Sequence, residues 1–374
     1  MVRIDSLERL DLDSPRCPEC GSSNVAVILW GLPSFTDELQ KELEEGKVVL
    51  GGGCVSFDDS KYECNDCKHR FGRSMFAEDL VEIMEKRKLK GIIYGAAVGD
   101  ALGVPYEFQG RDTFTCKGMA SGGAHQMQKG TFSDDTSMLL ATQDSIRERG
   151  CIDVEDMRER YRRWLFEGAY TADGKVFDVG NATSTALSEG HGLTHERSNG
   201  NGSLMRIAPL ACTDATDDEI RAVSAITHAH PISKEACVLF VHMLREALED
   251  GAYGIAQAIE DHLPDDSRFS FLSDIVTWPR EHVRSSGYAL DTLGAALWCA
   301  WNTDSYAECV LEAVNLGDDT DTTACVAGAL AGAMYGYDSI YKSWIEQLRG
   351  KDVINRCIFG QESPVQLNCD NLSQ

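Results

Sequence analysis

Hydrophobic residues recur with the 3.6-residue period of an amphipathic helix along most of the chain after about residue 76. The segment 153–166 shows this well, because an aspartate that can cap a helix precedes apolar residues at Val154, Met157, Tyr161 and Trp164. Few stretches alternate with the two-residue period of a strand. The pattern predicts an all-α region with helices at 135–149, 153–166, 217–227, 233–249, 288–300, 304–314 and 320–335.

The first 75 or so residues differ from the rest. Short runs typical of β-strands occur there among glycines, at 25–30 and 47–50. We therefore expect two domains, a zinc-ribbon-like β module at 1–75 and a multi-helical domain at 76–374. Glycine-rich segments at 108–132 and 166–206 are expected to be loops, and loops this long in a compact domain usually carry function.

Composition narrows the choice of partners. The 374 residues are 43% hydrophobic, which is ordinary for a globular protein, and carry a formal charge of −25. A field of this sign repels phosphate backbones and anionic lipid, so we expect no nucleic-acid and no membrane partner. The negative charge does not exclude a small anionic substrate, since helix N-termini and bound cations can make the local electrostatic potential positive.

The chain starts without an apolar segment of signal-peptide type, and its longest low-charge run, 322–337, is shorter than the ~20 residues that span a bilayer. These features predict a soluble, cytoplasmic protein. Of fourteen cysteines, those in apolar helical segments are expected to be small buried hydrophobic residues rather than disulfide partners. They are Cys237, Cys299, Cys309 and Cys325.

Two Cys-x-x-Cys pairs in the N-terminal region resemble the knuckles of a zinc ribbon, although their separation is longer than usual. The ligands expected for one structural Zn²⁺ are Cys17, Cys20, Cys64 and Cys67. A redox dithiol is the competing interpretation, and Cys54 and His69 are spare candidates that we do not expect to be ligands. The residues between the pairs are acidic and apolar, which favours a protein contact over nucleic-acid binding for this module.

Two acidic motifs lie far apart in the chain, Thr-Phe-Ser-Asp-Asp-Thr at 131–136 and Gly-Asp-Asp-Thr-Asp-Thr-Thr at 317–323. Each places carboxylates and hydroxyls where a loop enters an apolar helix. Together they could supply the oxygen ligands that a pair of hard cations requires. Helix capping is the alternative explanation. Asp318, Asp319 and Asp321 exceed what a cap needs and repel one another without a cation, which favours metal binding.

A third element combines a helix with small residues at positions 91, 95, 96 and 99 and two carboxylates, Asp100 and Glu107. The small residues permit close helix packing. Glu107, expected beside the buried aromatic rings of Tyr106 and Phe108, could serve as a general acid or base. It could equally be a residue of a surface loop.

Together these residues resemble a known family. Six motifs, at 99–107, 133–136, 180–183, 199–206, 227–228 and 317–322, are similar in sequence and order to those of the ADP-ribosylglycohydrolases, which include the enzyme that reactivates ADP-ribosylated dinitrogenase reductase. The resemblance covers about residues 90–337 and implies a compact all-α fold with two Mg²⁺ or Mn²⁺ ions. It also implies a hydrolase that removes ADP-ribose from modified side chains of a protein substrate, with arginine as the first choice.

The resemblance also implies roles for individual residues. The metal ligands would be Ser133, Asp134, Asp135, Asp319, Asp321 and Thr322. Glu107 would be catalytic, assisted by Asp100, and Asp318 stands where many members have glycine. Arg206 and Asp100 are more typical of supporting positions. Substrate-binding residues would be Asn199, Gly200, Asn201, Gly202, Ser203 and His228.

Simpler explanations remain at these positions: the glycines could form a plain turn, and His228, for which contact with adenine is favoured, could instead cap a helix. At the level of function, the main alternative is an immunity protein. It would neutralise a cognate ADP-ribosyltransferase toxin by direct binding through the N-terminal module, with or without hydrolysis. A related scaffold without catalysis is disfavoured, because every expected metal ligand is present.

Overall fold

The computed structural model describes residues 15–31, 35, 37–53, 59–73 and 75–360, without the side chains of 37–38 and 75–83. By its internal contacts the chain forms two compact units, Met1–Lys86 and Arg87–Gln374. The domain boundary at 75/76 that the sequence indicates stays a prediction.

The N-terminal unit contains a four-stranded sheet in the order β2-β1-β3-β4. Its strands are β1 (Val25–Trp30), β2 (Val48–Gly52), β3 (Ser60–Cys64) and β4 (Arg70–Arg73). Strand β1 pairs in parallel with β2 and antiparallel with β3, and β3 pairs antiparallel with β4. Both predicted β-type runs are therefore strands. Helix α1 (Asp37–Glu44) was not expected, and Cys54 lies outside the described residues.

The rest of the chain is helical, as predicted, and each predicted helical segment contains a helix. The helices are α2 (Met75–Gly103), α3 (Asp134–Arg149), α4 (Val154–Glu167), α5 (Asn181–Glu189), α6 (Asp217–Ser224), α7 (Pro231–His262), α8 (Ala289–Trp301), α9 (Tyr306–Asn315), α10 (Thr320–Tyr335), α11 (Lys342–Gln347) and α12 (Lys351–Phe359). The backbone of α7 is non-helical at Gly251, close to the predicted helix end at 249. Among the described residues, no helix is both long enough and apolar enough to cross a membrane.

The expectation of a single loop at 166–206 is wrong, because α5 lies within it. Helices α11 and α12 were missed as well. All three are nine residues or shorter, so too few positions repeat for the 3.6-residue period to stand out. Residues 108–132 contain no helix and only an isolated bridge between Gly122 and Met127, in agreement with the predicted loop.

Helix α10 lies in the centre of the helical unit and is buried from Thr320 to Ala333. Glycines on α2 face it at four-residue intervals. A Cβ atom on Gly95 would lie 2.2 Å from the carbonyl oxygen of Gly328, and one on Gly99 would lie 2.0 Å from that of Ala324. The predicted close packing is thus confirmed at these glycines and at Gly91, and it brings two polypeptide backbones into contact. The four cysteines predicted to be buried are fully buried.

Candidate active site

Asp100 lies near the end of α2, where this helix crosses the start of α10. A Cβ atom on Gly103 would lie 2.3 Å from the Cα of Asp321, so the two backbones touch beside the carboxylates. The fully buried Asp100 accepts a hydrogen bond from the backbone N–H of Ser133 at 2.9 Å. It also accepts from the backbone N–H of Thr136 at 3.1 Å and from its hydroxyl at 2.6 Å. The N-terminus of a helix carries partial positive charge, which attracts a carboxylate. Asp100 on α2 therefore binds the first turn of α3 and holds it against α2.

Asp135 on α3 and Asp321 on α10 join Asp100 in one buried cluster, in which an oxygen of each carboxylate lies within 4.8 Å of the others. The Oδ2 atoms of Asp135 and Asp321 are buried and have no hydrogen-bond partner. The hydroxyl of Thr322 donates to Asp135 Oδ1 at 3.3 Å. After burial, the charge of Asp135 is the largest cause that raises the pKa of Asp321, because the cluster places negative charges close together.

Burial raises the pKa of Asp134, Asp135 and Asp321 well above the usual range of an aspartate, and the neighbouring carboxylates raise it further. Burial also raises the pKa of Asp100 to about 7. Such groups must hold protons or be neutralised by cations, because an unpaired buried charge is costly. Unpartnered oxygen atoms on hard carboxylate donors meet the requirements of divalent cations such as Mg²⁺ and Mn²⁺.

The other expected ligands lie at the same two helix starts. Ser133 is the N-cap of α3, and its hydroxyl accepts the backbone N–H of Asp135 at 3.3 Å, so capping explains part of its role. Asp319 is the N-cap residue of α10, but its side chain makes no capping hydrogen bond to the backbone of that helix. Asp134 is 6% exposed, whereas Asp318 is exposed, with a φ of 60° that aspartate tolerates better than most residues.

Glu107 follows α2 after one short turn and is 5% exposed, which excludes the surface-loop interpretation. Its Oε2 atom lies 2.6 Å from Nε2 of His125, and that nitrogen lies 3.7 Å from Oδ1 of Asp178. Burial, and then the charge of Asp178, raise the pKa of Glu107 to about 9. The rings of Phe108 and Phe177 lie 6.0 and 5.2 Å from the imidazole of His125. Phe108 itself is 69% exposed, so the expectation that it is buried is wrong.

The sequence interpretation missed His125 and Asp178. His125 lies in the loop 108–132, and Asp178 lies in the segment before α5, so neither falls at a helix entry. No periodicity or motif spacing marks them. The only signal was their position in long glycine-rich segments, which indicated function for the loops without selecting a residue.

The segment 199–203 approaches the carboxylates through Asn201. Its Nδ2 atom donates to Asp319 Oδ2 at 2.8 Å and to Thr292 Oγ1 at 2.9 Å. The Asn199 carbonyl accepts the backbone N–H of Ala289 at 3.1 Å. These bonds attach the segment to the start of α8 and to the residue that precedes α10.

Gly200 and Gly202 lie beside the edge of the His228 ring that carries Cε1 and Nε2. A Cβ atom on Gly202 would lie 2.7 Å from Cε1 of His228, so the ring itself requires glycine there. His228 is only 3% exposed, which leaves no free ring face for stacking on adenine, and the N-cap of α7 is His230 instead. Ser203 is fully buried, and its hydroxyl accepts a hydrogen bond from the hydroxyl of Ser224 at 2.9 Å.

The four cysteines of the N-terminal unit converge as their spacing predicts. Their sulfur atoms all lie within 4.8 Å of one another, with Cys17 and Cys67 at 3.5 Å and Cys20 and Cys64 at 3.6 Å. A tetrahedral ion with Zn–S bonds of about 2.3 Å separates its sulfur ligands by about 3.8 Å. The arrangement fits such an ion. The ring of His69 stacks on Phe71 instead of joining the cluster.

A separate cavity of about 650 Å³ lies among α3, α4 and α12 and is rich in arginine. Asp144 accepts hydrogen bonds there from Arg147 at 2.7 Å, from Arg160, and from the Tyr170 hydroxyl at 2.9 Å. Because Asp144 already pairs with Arg147 and Arg160, we interpret this region as a structural network and not as the site of chemistry.

Comparison with known proteins agrees with this geometry. The sequence model of the ADP-ribosylglycohydrolase family matches residues 83–366. The chain is 35% identical over 276 residues to the ADP-ribosylarginine hydrolase Tri1 of Serratia proteamaculans (strain 568), covering 70% of this chain and 75% of that protein. It is 31% identical over 279 residues to the ADP-ribosyl-[dinitrogen reductase] glycohydrolase of Rhodospirillum rubrum, covering 69% and 89%.

A solved structure described as an ADP-ribosylglycohydrolase-related protein complex superposes with a TM-score of 0.63 at 31% identity, covering 74% of this chain and 97% of that one. Sequence and fold comparisons therefore agree, each over about three quarters of the chain or slightly less. This chain belongs to the ADP-ribosylglycohydrolase family, whose members are enzymes that hydrolyse the glycosidic bonds of ADP-ribose.

Proposed function

We propose that the chain removes ADP-ribose from modified arginine side chains of proteins, with two Mg²⁺ or Mn²⁺ ions in the carboxylate cluster. The observation that carries the proposal is the meeting of Asp100, Asp135 and Asp321 in a buried cluster with unpartnered oxygen atoms. Such a cluster needs a positive counter-charge. Relatives named for ADP-ribosylarginine and for ADP-ribosyl-dinitrogen reductase support the substrate class.

The residues proposed to hold the ions come from the starts of α3 and α10. They are Ser133, Asp134, Asp135, Asp319, Asp321 and Thr322. When bound, the divalent cations supply Lewis acidity that polarises the ribose hydroxyls and the attacking water. Asp100 is proposed as a positioning residue, because donors from Ser133 and Thr136 already occupy its oxygens.

Glu107 is proposed to carry the proton. The oxygen of water bonds to C1 of the ribose, and the electron pair of the C–N bond passes to the guanidine nitrogen. Glu107 accepts a proton from the water and returns one to the leaving nitrogen. Its enclosed position next to His125 keeps bulk water from competing for that proton.

The surroundings of Glu107 support a cationic leaving group. Two carboxylates, those of Glu107 and Asp178, and two rings, those of Phe108 and Phe177, surround the imidazole of His125. Carboxylates and aromatic faces are the groups that bind a guanidinium. We propose that the arginine end of the substrate binds here and that His125 gives way to it.

The segment Asn199, Gly200, Asn201, Gly202 and Ser203, with His228, is proposed to bind the ADP-ribose moiety. One structural Zn²⁺ is proposed at Cys17, Cys20, Cys64 and Cys67, and the module that contains it is proposed to contact a protein. A cognate ADP-ribosyltransferase as that partner, and a cytoplasmic location, stay predictions.

The proposal is tested by release of ADP-ribose from an arginine-modified protein, after EDTA treatment and after return of Mg²⁺ or Mn²⁺. We expect release only with the cation. No release with either ion would contradict the arginine substrate or the metal requirement, and release from serine-linked protein instead would identify a different linkage.

The proposed arginine subsite is tested with Asp178→Asn. A charge-assisted hydrogen bond contributes about 1.5–3 kcal/mol, so kcat/KM on ADP-ribosyl-arginine should fall about 10- to 100-fold. Asp173→Asn is the matched control, since Asp173 lies in the same segment but pairs with Arg349 at 3.6 Å instead of with His125. An equal loss on an uncharged linkage would contradict recognition of the guanidinium.

A further inference from the structure

Arg206 is fully buried and, among the described residues, has none of the carboxylate partners that a buried cation usually has. Its Nε donates to the carbonyl oxygen of Gly202 at 3.1 Å, and its Nη2 donates to the hydroxyl oxygen of Thr227 at 2.6 Å. The guanidinium also lies 4.4 Å from the centre of the Tyr161 ring. Because arginine only donates, the Thr227 oxygen must accept in this bond.

The hydroxyl of Thr227 has one hydrogen, and its contact with His228 determines where that hydrogen points. Nδ1 of His228 lies 2.8 Å from Thr227 Oγ1. If Nδ1 carried a proton, the threonine oxygen would accept twice and its own buried hydrogen would need another acceptor. Among the described residues that hydroxyl has no other hydrogen-bond partner. The hydroxyl therefore donates to a bare Nδ1.

We propose that Arg206 and Thr227 are positioning residues that hold His228 in its Nε2–H tautomer, so that Nε2 donates a hydrogen bond to an oxygen of the ADP-ribose moiety beside Gly200 and Gly202. This inference rests on the proposed function only for the identity of the acceptor. Arg206 donates to Thr227, Thr227 donates to His228, and His228 donates to the ligand. The direction of each hydrogen bond follows from which atom can carry a proton.

The surroundings of Nε2 favour a ligand oxygen. A Cβ atom on Gly202 would lie 3.2 Å from Nε2, and one on Gly200 would lie 3.7 Å from it, so this edge of the ring faces two residues without side chains. Burial, and then the charge of Arg206, lower the pKa of His228 to about 3. The ring therefore stays neutral, and it offers a single N–H. Hydroxyl and phosphate oxygens of ADP-ribose are suitable acceptors.

The tautomer is measured directly by long-range ¹H–¹⁵N correlation on histidine-labelled protein, with His228→Asn to assign the signals. We expect one protonated and one bare nitrogen at neutral pH, with the proton on Nε2. Addition of ADP-ribose should shift Nε2 more than Nδ1. A proton on Nδ1, a doubly protonated ring, or an Nε2 signal unaffected by saturating ADP-ribose would overturn the proposal.

Thr227→Val removes the hydroxyl at nearly constant shape, whereas Thr227→Ser keeps it. With valine we expect a mixture of tautomers and binding of ADP-ribose weakened about 2- to 12-fold, the range for one hydrogen bond. Serine should restore the Nε2–H signal and the affinity. An unchanged tautomer in the valine variant would contradict the role of Thr227.

The tautomer of His228 and the affinity for ADP-ribose are measured without turnover. Absence of arginine hydrolysis together with the Nε2–H signal and its response to ADP-ribose would reject the proposed substrate and keep this inference. If the protein hydrolyses ADP-ribosyl-arginine but His228 carries its proton on Nδ1, the proposed substrate is kept and this inference is rejected.

Discussion

The two units gather potential metal ligands in opposite ways. In the N-terminal unit, four cysteines come from two short turns, and strand pairing of Val25 with Cys64 brings those turns together. In the helical unit, Asp100, Asp135 and Asp321 come from three helices that the core packs against one another. The cysteine turns have little core of their own and are proposed to depend on a metal, whereas the carboxylates are held in place by packing.

The chemistry of the ligands differs in the same sense. The backbone N–H of Cys67 is the main cause that lowers the pKa of the Cys64 thiol to about 7, so this one cysteine favours the thiolate. Burial does the opposite to the aspartates and raises the pKa of Asp135 and Asp321. The helical unit therefore keeps its site formed at an electrostatic cost.

The largest effect is expected for Cys64→Ser. A structural zinc contributes about 10–16 kcal/mol to the folding of a small domain, and most of that should be lost with one thiolate. Zinc content should fall from one ion per chain to nearly none, while ADP-ribose release changes little. Exposed Cys151→Ser is the control. Full zinc content in Cys64→Ser would mean that these cysteines are not the ligands.

Asp321→Asn should have the opposite profile. Loss of a partner outside the ligand shell costs up to about 100-fold in activity, so loss of a proposed ligand should cost at least that. In EDTA the variant should melt at a higher temperature than the wild type, because one buried charge is gone. Exposed Asp318→Asn should change neither quantity. A variant with unchanged activity would remove Asp321 from the site.

Gly99→Ala tests whether packing holds the carboxylates. The new Cβ would lie 2.0 Å from the carbonyl oxygen of Ala324, so α2 and α10 must separate. Overpacking of this kind costs about 1–3 kcal/mol, measured by denaturant unfolding, and activity should fall with it. Gly110→Ala, whose Cβ would make an ordinary 3.8 Å contact with Thr113, is the control. Equal stability of both variants would contradict tight packing at Gly99.

The most gradual change is expected in the pH dependence of stability without metal. The folded-state pKa of Glu107 is raised from 4.5 to about 9, so the folded chain binds more protons than the unfolded chain between these values. Its contribution is fully present below pH 4.5 and is lost as the pH rises through about 9. Melting temperatures in EDTA should decline over this window and decline less with Mg²⁺. A metal-independent profile would contradict a cation in the cluster.

Sequence reasoning was most successful where the signal is local. The Cys-x-x-Cys pairs, the amphipathic helices and the two acidic helix entries are all defined within a few residues of one another, and the structure contains each of them. It was wrong for α5, which is too short to show a period, and for Phe108, which is exposed. Local patterns carry no information about which distant side chain a loop approaches.

The sequence by itself determined the all-α class, the cysteine cluster and the two carboxylate motifs, because helix period, knuckle spacing and ligand chemistry are properties of neighbouring residues. Only the tertiary structure decided that Asp100 holds the start of α3 and that His125 and Asp178 meet at Glu107. It also decided that Arg206 and Thr227 act on His228. These relations depend on which helices touch, and glycines such as Gly95 and Gly328 set that by how closely they let two backbones approach.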